Sequence, residues 1–339
     1  MRVPPKAGPK TVLCTPIIAF NPVSLSWQKT TCSWLSKAVL PNTENAADCV
    51  FGSIGVVVIY ESGKNSGQKY LRTDDSAKNL IFIDNLSSCG FKKIETSSFV
   101  SPKWVPQLSD AGDVFRGIKR NKGVKYTALT PNEKGFDDAM IAKVDEVAIF
   151  TAASETFCKK NTNCDIETSL IRFKPIMNKA VSNKLPVRGY ISCVSHCPYE
   201  DYVDPKKVAE IANELINMGC YEVSLGDTTG KGNAEQTLQV IKECLNFISP
   251  KFLAGHFHDT YQNALDNIKV CIENGIRTFD SSVGGLGGCP YSPGAKGNVA
   301  TEKVNELVLS MGYNTNLDSS KINECSHIAK QLKKNGSCS

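Results

Sequence analysis

Two histidines separated by a single residue are the first feature of this sequence with chemical potential. In Gly255-His256-Phe257-His258-Asp259 the flanking residues are strand formers, and along a strand side chains alternate between faces. His256 and His258 therefore share one face, with Phe257 on the other. Two imidazole nitrogens on one wall can grip a single metal ion. The chain has only 4 histidines among 339 residues, so a pairing this close stands out; two hydrogen-bonded core histidines are the alternative reading. Downstream, Gly284-Gly285-Leu286-Gly287-Gly288-Cys289-Pro290-Tyr291 and Gly294-Ala295-Lys296-Gly297-Asn298 form a segment rich in glycine. Such a backbone moves easily and can approach a ligand closely. The thiol of Cys289 at its centre reads as a reactive group carried by a lid, and the competing reading is a linker with an incidental cysteine. Cys193 and Cys197, with His196 between them, raise a zinc module. That needs four ligands and usually a second close pair, which the widely spaced Cys158 and Cys164 do not supply.

Chemistry of this kind requires a scaffold that brings strand ends together. Eight short apolar, β-branched runs read as strands: 54–60, 92–96, 125–129, 146–150, 187–192, 221–225, 252–258 and 278–281. Their near-continuous apolar character suits strands buried on both faces. Between them lie helical patterns. Asp204 before Pro205 gives an N-cap and an N1 proline, Val208, Ile211, Ala212 and Leu215 follow at helical spacing, and Gly219 closes the segment. Similar patterns run over 260–275 and 301–312. Eight strand–helix units favour an α/β fold closed as a (β/α)8 TIM barrel over an open doubly wound sheet. No Gly-x-Gly-x-x-Gly follows the first strand, which argues against dinucleotide binding. In a barrel the chemistry belongs at the C-terminal ends of the strands. Glu95, Thr130, Ser154, Ser192, Asp227, His256, His258 and Ser281 fall there, some of them as helix caps.

Composition narrows the function. A content of 41% hydrophobic and 22% charged residues is that of a soluble globular chain. The net charge of +5, with no long Lys/Arg run, gives no reason to expect a nucleic-acid partner. No apolar stretch approaches the roughly 20 residues of a membrane helix, so no membrane association is expected. The 14 cysteines are irregularly spaced and read as small hydrophobes in a reducing compartment. Residues 1–43 contain Lys, Arg, Ser and Thr but no Asp or Glu, the composition of an organelle-targeting presequence; a disordered tail is the alternative. The expected organisation is an N-terminal extension over 1–50, a barrel over 51–325 and a tail over 326–339.

At this point the motifs resemble a family. Gly255-His-Phe-His-Asp-Thr-Tyr261, Asp280-Ser-Ser-Val-Gly-Gly-Leu-Gly-Gly-Cys-Pro-Tyr291, Gly297-Asn-Val-Ala-Thr-Glu302, the run from Ile94 to Gln107, Arg188-Gly-Tyr-Ile-Ser-Cys193 and Ser224-Leu-Gly-Asp-Thr228 are similar to 3-hydroxy-3-methylglutaryl-CoA (HMG-CoA) lyases, from about residue 54 to about 311. The glycine–cysteine loop is specific to that lyase, whereas the two-histidine strand also occurs in related barrel synthases and aldolases. The resemblance implies cleavage of HMG-CoA to acetyl-CoA and acetoacetate in leucine breakdown and ketone-body formation. It further implies a divalent metal, Mg2+ or Mn2+, held by His256, His258 and Asn298. Cys289 is implied as the loop thiol, and Asp227 and Glu95 as acids that transfer protons or orient ligands. A homodimer acting on a small-molecule acyl-CoA is the implied assembly, in the mitochondrial matrix or otherwise the cytoplasm.

One departure matters. The family's first strand ends in Gly-Pro-Arg-Asp-Gly-Leu-Gln, with the Arg on the thioester oxygen and the Asp on the metal. Counting back from Glu95, Lys64 and Asn65 stand at those positions. Lysine keeps the charge but loses the planar fork, and asparagine offers an oxygen without the charge. A catalytically weakened homologue that binds metal or acyl-CoA is therefore the alternative expectation. A third is the aldol direction with another keto acid, which the glycine–cysteine loop disfavours.

Overall fold

The computed structural model describes residues 53–57, 76–103, 108–287 and 297–335. Lys64, Asn65 and Cys289, and the extension expected over 1–50, lie outside the described residues.

Eight parallel strands close into a barrel. They are β1 (Ser53–Val57), β2 (Lys93–Ser98), β3 (Lys125–Leu129), β4 (Glu146–Ala152), β5 (Val187–Ser192), β8 (Glu222–Asp227), β9 (Leu253–Phe257) and β10 (Thr278–Ser281). A short antiparallel hairpin, β6 (His196–Cys197) with β7 (Asp201–Tyr202), follows β5. β1 pairs with both β2 and β10, which seals the ring. All eight expected runs contribute barrel strands, seven with ends shifted by at most a few residues; residues 58–60 of the first run lie outside the described residues. The hairpin is an addition that no apolar run announced.

The helices are α1 (Ser76–Ser87), α2 (Ala111–Gly117), α3 (Glu133–Ile141), α4 (Glu155–Thr162), α5 (Ile166–Asn183), α6 (Pro205–Asn217), α7 (Ala234–Leu245), α8 (Ala264–Glu273), α9 (Thr301–Ser310) and α10 (Ser319–Asn335). Their starts are written in side chains. Asn132, Ser154, Asp165 and Asp204 each accept a first-turn N–H, and Asn233 forms a reciprocal capping box with Gln236. Each such cap is worth about 1 kcal/mol. On α6, Val208, Ile211, Ala212 and Leu215 are buried as their spacing predicts, and Gly219 follows at φ +107°. The helix expected from 260 begins only at Ala264, because Gln262 adopts a left-handed backbone at φ +65°. The boundary expected after 325 falls inside α10, whose Ile322, Cys325 and Ala329 are buried. Residues 326–335 therefore continue a packed helix.

Alternation along the strands sorts side chains into two cores. Tyr126, Ile149, Val223, Leu225, Phe257 and Phe279 are buried in the layer between strands and helices. The set facing the barrel axis is unusually polar: Glu95, Glu146, Arg188, Glu222, Ser224 and Asp280 are all buried. Barrel interiors are ordinarily filled by branched aliphatics. Isolated buried charge costs several kcal/mol, so these groups persist only as a mutually paired set. Among the described residues no helix is long and apolar enough to cross a membrane.

Candidate active site

The parallel register of β9 and β10 sets His256 beside Asp280. Asp280 organises the centre of the barrel. Its Oδ2 lies 3.3 Å from His256 Nδ1 and accepts from Ser224 Oγ at 2.7 Å, while Oδ1 accepts from Arg188 Nη1 at 2.8 Å. Arg188 also donates through Nε to Glu222 at 2.9 Å and through Nη1 to the Tyr190 hydroxyl at 2.6 Å. Tyr190 passes the chain on, donating to Glu95 Oε2 at 2.9 Å, and presents its ring edge-on to His256 with centroids 6.1 Å apart. His256, Asp280, Arg188, Tyr190 and Glu95 thus form one hydrogen-bonded network across the lumen.

Its two carboxylates are driven in opposite directions. Burial alone would raise the Asp280 pKa, but Arg188 and His256 overturn that and hold the group well below the ordinary carboxylate range. Glu95 has a weaker counterweight. Burial pushes it up to about 7, the neighbouring Asp280 charge adds to the rise, and Tyr190, Arg188 and His256 only partly oppose it. One acid stays ionised and the other is poised to exchange a proton near neutrality, the pattern by which paired carboxyls divide their roles.

The second imidazole is placed by a chain crossing. Residues 297–299 lie along the end of β9: Val299 N donates to Phe257 O and Asp259 N to Gly297 O, both at 3.0 Å, and His258 bridges Asn298. Asn298 N also donates to Gly287 O at 3.1 Å, drawing the two ends of the glycine-rich loop together. Gly297 makes this neck possible. Its φ is +114°, and a Cβ there would collide with the Gly287 carbonyl. The Asn298 side chain donates through Nδ2 to Leu286 O at 2.9 Å, which leaves Oδ1 buried with no partner. His258 Nδ1 and Glu95 Oε1 are orphaned in the same way. Burial, with His256 adding to it, drives His258 down to about 3, so its ring is neutral and able to ligate.

Buried polar atoms without partners are costly and rare, and two of these three belong to residues the sequence singles out as metal ligands. The two rings lie 5.6 Å apart. With Nδ1 of His256 engaged by Asp280, Nε2 is the nitrogen it would offer a ligand. Two imidazoles and an amide oxygen would suit Mn2+ well and Mg2+ tolerably; among the described residues no group of three His, Cys, Asp or Glu side chains could hold a metal ion.

Asp227 ends β8 beside this site without joining the network by its side chain. Alternation sets it opposite Ser224 on the strand, and its carboxylate accepts from Ser195 Oγ at 2.9 Å and Gly232 N at 3.0 Å, with Thr229 Oγ1 at 3.4 Å. Burial raises its pKa. Its backbone carbonyl accepts from His258 N at 3.4 Å, so it acts on the site through the loop it braces. Arg188, Tyr190 and Asp280 stand in the quoted motifs, but sequence reasoning gave them no role, although a charged residue within a strand, as at Arg188 and Asp280, was a usable signal. Farther round the mouth, a cavity of about 590 Å³ opens between the loops after β2 and β3 and helices α4 and α5, lined by Asn132, Phe150, Lys159, Lys160, Cys164 and Arg172 among others.

Residues 64–328 match the family model described as HMGL-like. The chain is 49% identical over 263 residues to a 3-hydroxy-3-isohexenylglutaryl-CoA/hydroxymethylglutaryl-CoA lyase of Pseudomonas aeruginosa, covering 77% of this chain and 88% of that protein. Among solved structures, an HMG-CoA lyase from Brucella melitensis superposes with a TM-score of 0.77 at 44% identity, covering 83% of this chain and 99% of the other. A structure of an HMG-CoA lyase from Acinetobacter baumannii in complex with coenzyme A and 3-methylmalate gives 0.76 at 32% identity, covering 83% and 92%.

Proposed function

Because the chain belongs to the HMG-CoA lyase family, we propose that its barrel cleaves 3-hydroxy-3-methylglutaryl-CoA to acetyl-CoA and acetoacetate, in leucine breakdown and ketone-body formation. The observation that carries this reading is the set of orphaned buried atoms, His258 Nδ1, Asn298 Oδ1 and Glu95 Oε1, beside an imidazole fixed by Asp280. His256, His258 and Asn298, with Asn65 as a fourth candidate, would hold a divalent ion, Mn2+ or Mg2+, which would supply Lewis acidity.

The chain's own residues carry the rest. Breaking the C2–C3 bond requires a proton to leave the tertiary hydroxyl while the bonding electrons pass to the thioester side as an enolate. Glu95, held near neutrality and buried at the centre of the network, is the group suited to take that proton. Protonation of the enolate carbon completes acetyl-CoA, a role we assign to Cys289 on the glycine-rich loop. Lys64 is the candidate to polarise the thioester oxygen. The cations Lys159, Lys160 and Arg172 around the 590 Å³ cavity suit the phosphates of an acyl-CoA. Asp227 braces the loop after β8. We assign a homodimer in the mitochondrial matrix, the latter on the acid-free composition of residues 1–43.

The test is direct. Purified folded chain with saturating Mn2+ and HMG-CoA forms acetoacetate and acetyl-CoA in equal amounts, and a chelator abolishes it. Absence of both products overturns the assignment. The double change Lys64→Arg with Asn65→Asp raises the rate at least tenfold if these positions stand where the family has its arginine and aspartate; an unchanged rate removes both from the site. Sedimentation reads the dimer, and targeting of the first 50 residues fused to a reporter reads the compartment.

A further inference from the structure

Eight of the nine described cysteines are buried, in keeping with packing as small hydrophobes, but two of them meet. Cys89, in the turn between α1 and β2, and Cys325, in the second turn of α10, bring their sulfurs to 3.7 Å across a separation of 236 residues. A disulfide bond is about 2.05 Å long, so the sulfurs lie less than 2 Å from bonding distance. The backbones around them are already tied. Asp318 N donates to Cys89 O at 2.9 Å, Lys321 Nζ to Ser88 O at 3.3 Å, and Gly90, at φ +95°, lies so close to Asn316 O that no Cβ would fit.

We propose that Cys89 and Cys325 are a thiol–disulfide site that staples α10 to the barrel wall when an oxidant of the peroxide class is present. The chemistry balances with hydrogen peroxide. The Cys325 thiolate attacks one peroxide oxygen, the O–O bond breaks, a sulfenic acid forms, and the departing hydroxide takes up the proton the Cys325 thiol had given up and leaves as one water. The Cys89 sulfur then displaces the sulfenic oxygen as a second water, forming the S–S bond. Two thiols are oxidised to one disulfide, and one peroxide is reduced to two waters. The order of attack follows from the pair's own hydrogen bond, which lowers Cys325 and raises Cys89. Both cysteines are buried, while their neighbours Ser88, Gly90 and Glu324 are exposed, so peroxide reaches the pair through a local opening of the chain here.

The staple reaches the mouth of the barrel through α10. Gly284, at the start of the glycine-rich loop, lies against the next turn of this helix: a Cβ on it would come to 3.1 Å from Ala329 Cβ and 3.7 Å from Ser326 Oγ. Closing the pair therefore restrains the surface on which the loop base rests.

The experiment uses the full chain, reduced, then exposed to hydrogen peroxide, alkylated, digested and mapped by mass spectrometry. The expected product is a peptide pair linked through Cys89 and Cys325 and lighter by two hydrogens. The melting temperature should rise by about 5–10 °C, as closing a long loop implies, and fall back on reduction. Cys89→Ser and Cys325→Ser should each abolish both effects. Full alkylation of both sulfurs after a treatment that oxidises the less buried Cys164 overturns the proposal, as does a melting rise that survives in Cys325→Ser. The linkage map of the unmodified sequence decides the matter even if a serine variant fails to fold, and none of these readouts depends on lyase activity.

Discussion

Replacing Asp280 by asparagine tests the organisation of the site at its most connected residue. The carboxylate serves Arg188 through Oδ1, and Ser224 and His256 through Oδ2. Asparagine keeps the shape but has only one accepting oxygen, which must stay on Arg188 because an amide N–H would face a guanidinium N–H. The amide nitrogen then faces Ser224 and His256. Ser224 can turn its hydroxyl to accept. His256 must accept through Nδ1, which moves its proton to Nε2 and removes the nitrogen available to a metal. Substituting such an orienting carboxylate ordinarily costs 10–100-fold in metal affinity, about 1.4–2.7 kcal/mol. Arg188 keeps Glu222, so the loss of fold stability should lie near or below the lower end of the roughly 3–5 kcal/mol seen when a buried ion pair is broken. Mn2+ titration followed by electron paramagnetic resonance, with thermal melts of the same samples, separates the two effects. Glu222→Gln is the control: it weakens the same guanidinium from the other side without touching His256, and should cost stability while leaving Mn2+ affinity within twofold. A folded Asp280→Asn protein with unchanged Mn2+ affinity would refute the reasoning.

Other perturbations give separate readings. Glu95 is lifted from 4.5 to about 7 by folding, so between those values the native chain holds a proton the unfolded chain has lost. Its stabilising contribution, on the order of 3 kcal/mol, is complete below about 4.5 and lost as pH rises through 7; denaturant melts of metal-free protein across this window should show the decline, and Glu95→Gln should flatten it. Asn298→Ala removes both the amide oxygen and the hydrogen bond to Leu286 O; Mn2+ should bind at least tenfold more weakly by calorimetry, and affinity equal to the parent would exclude the amide as a ligand. Lys160→Gln and Arg172→Gln, on the rim of the 590 Å³ cavity, should each raise KM for the acyl-CoA about fivefold, equivalent to roughly 1 kcal/mol, with kcat nearly unchanged. A fall in kcat at constant KM would move the coenzyme elsewhere.

Much of this molecule is legible in local sequence. The eight strands fall on short runs of the right length that carry apolar or β-branched residues, and the cap at Asp204 announces the helix that follows, because periodicity and capping act over a few residues. His256 and His258 fall on one face for the same reason. Asp227 shows where such reading fails. Position at a strand end marks it for the site, but along β8 Asp227 shares parity with the outward-facing Val223 and Leu225, not with Glu222 and Ser224; the fold gives its carboxylate to Ser195 and Gly232.

The sequence alone determined the repeating strand–helix order, the paired imidazoles and the glycine-rich loop, since each depends on neighbours in the chain. Tertiary structure decided which charges share the lumen, that Asp280 fixes His256 while holding Arg188 from 92 residues away, and that Asn298 sits beside His258. Those outcomes depend on closing the ring of strands, which brings distant residues into a region without water, where a charge survives only if its partner arrives with it.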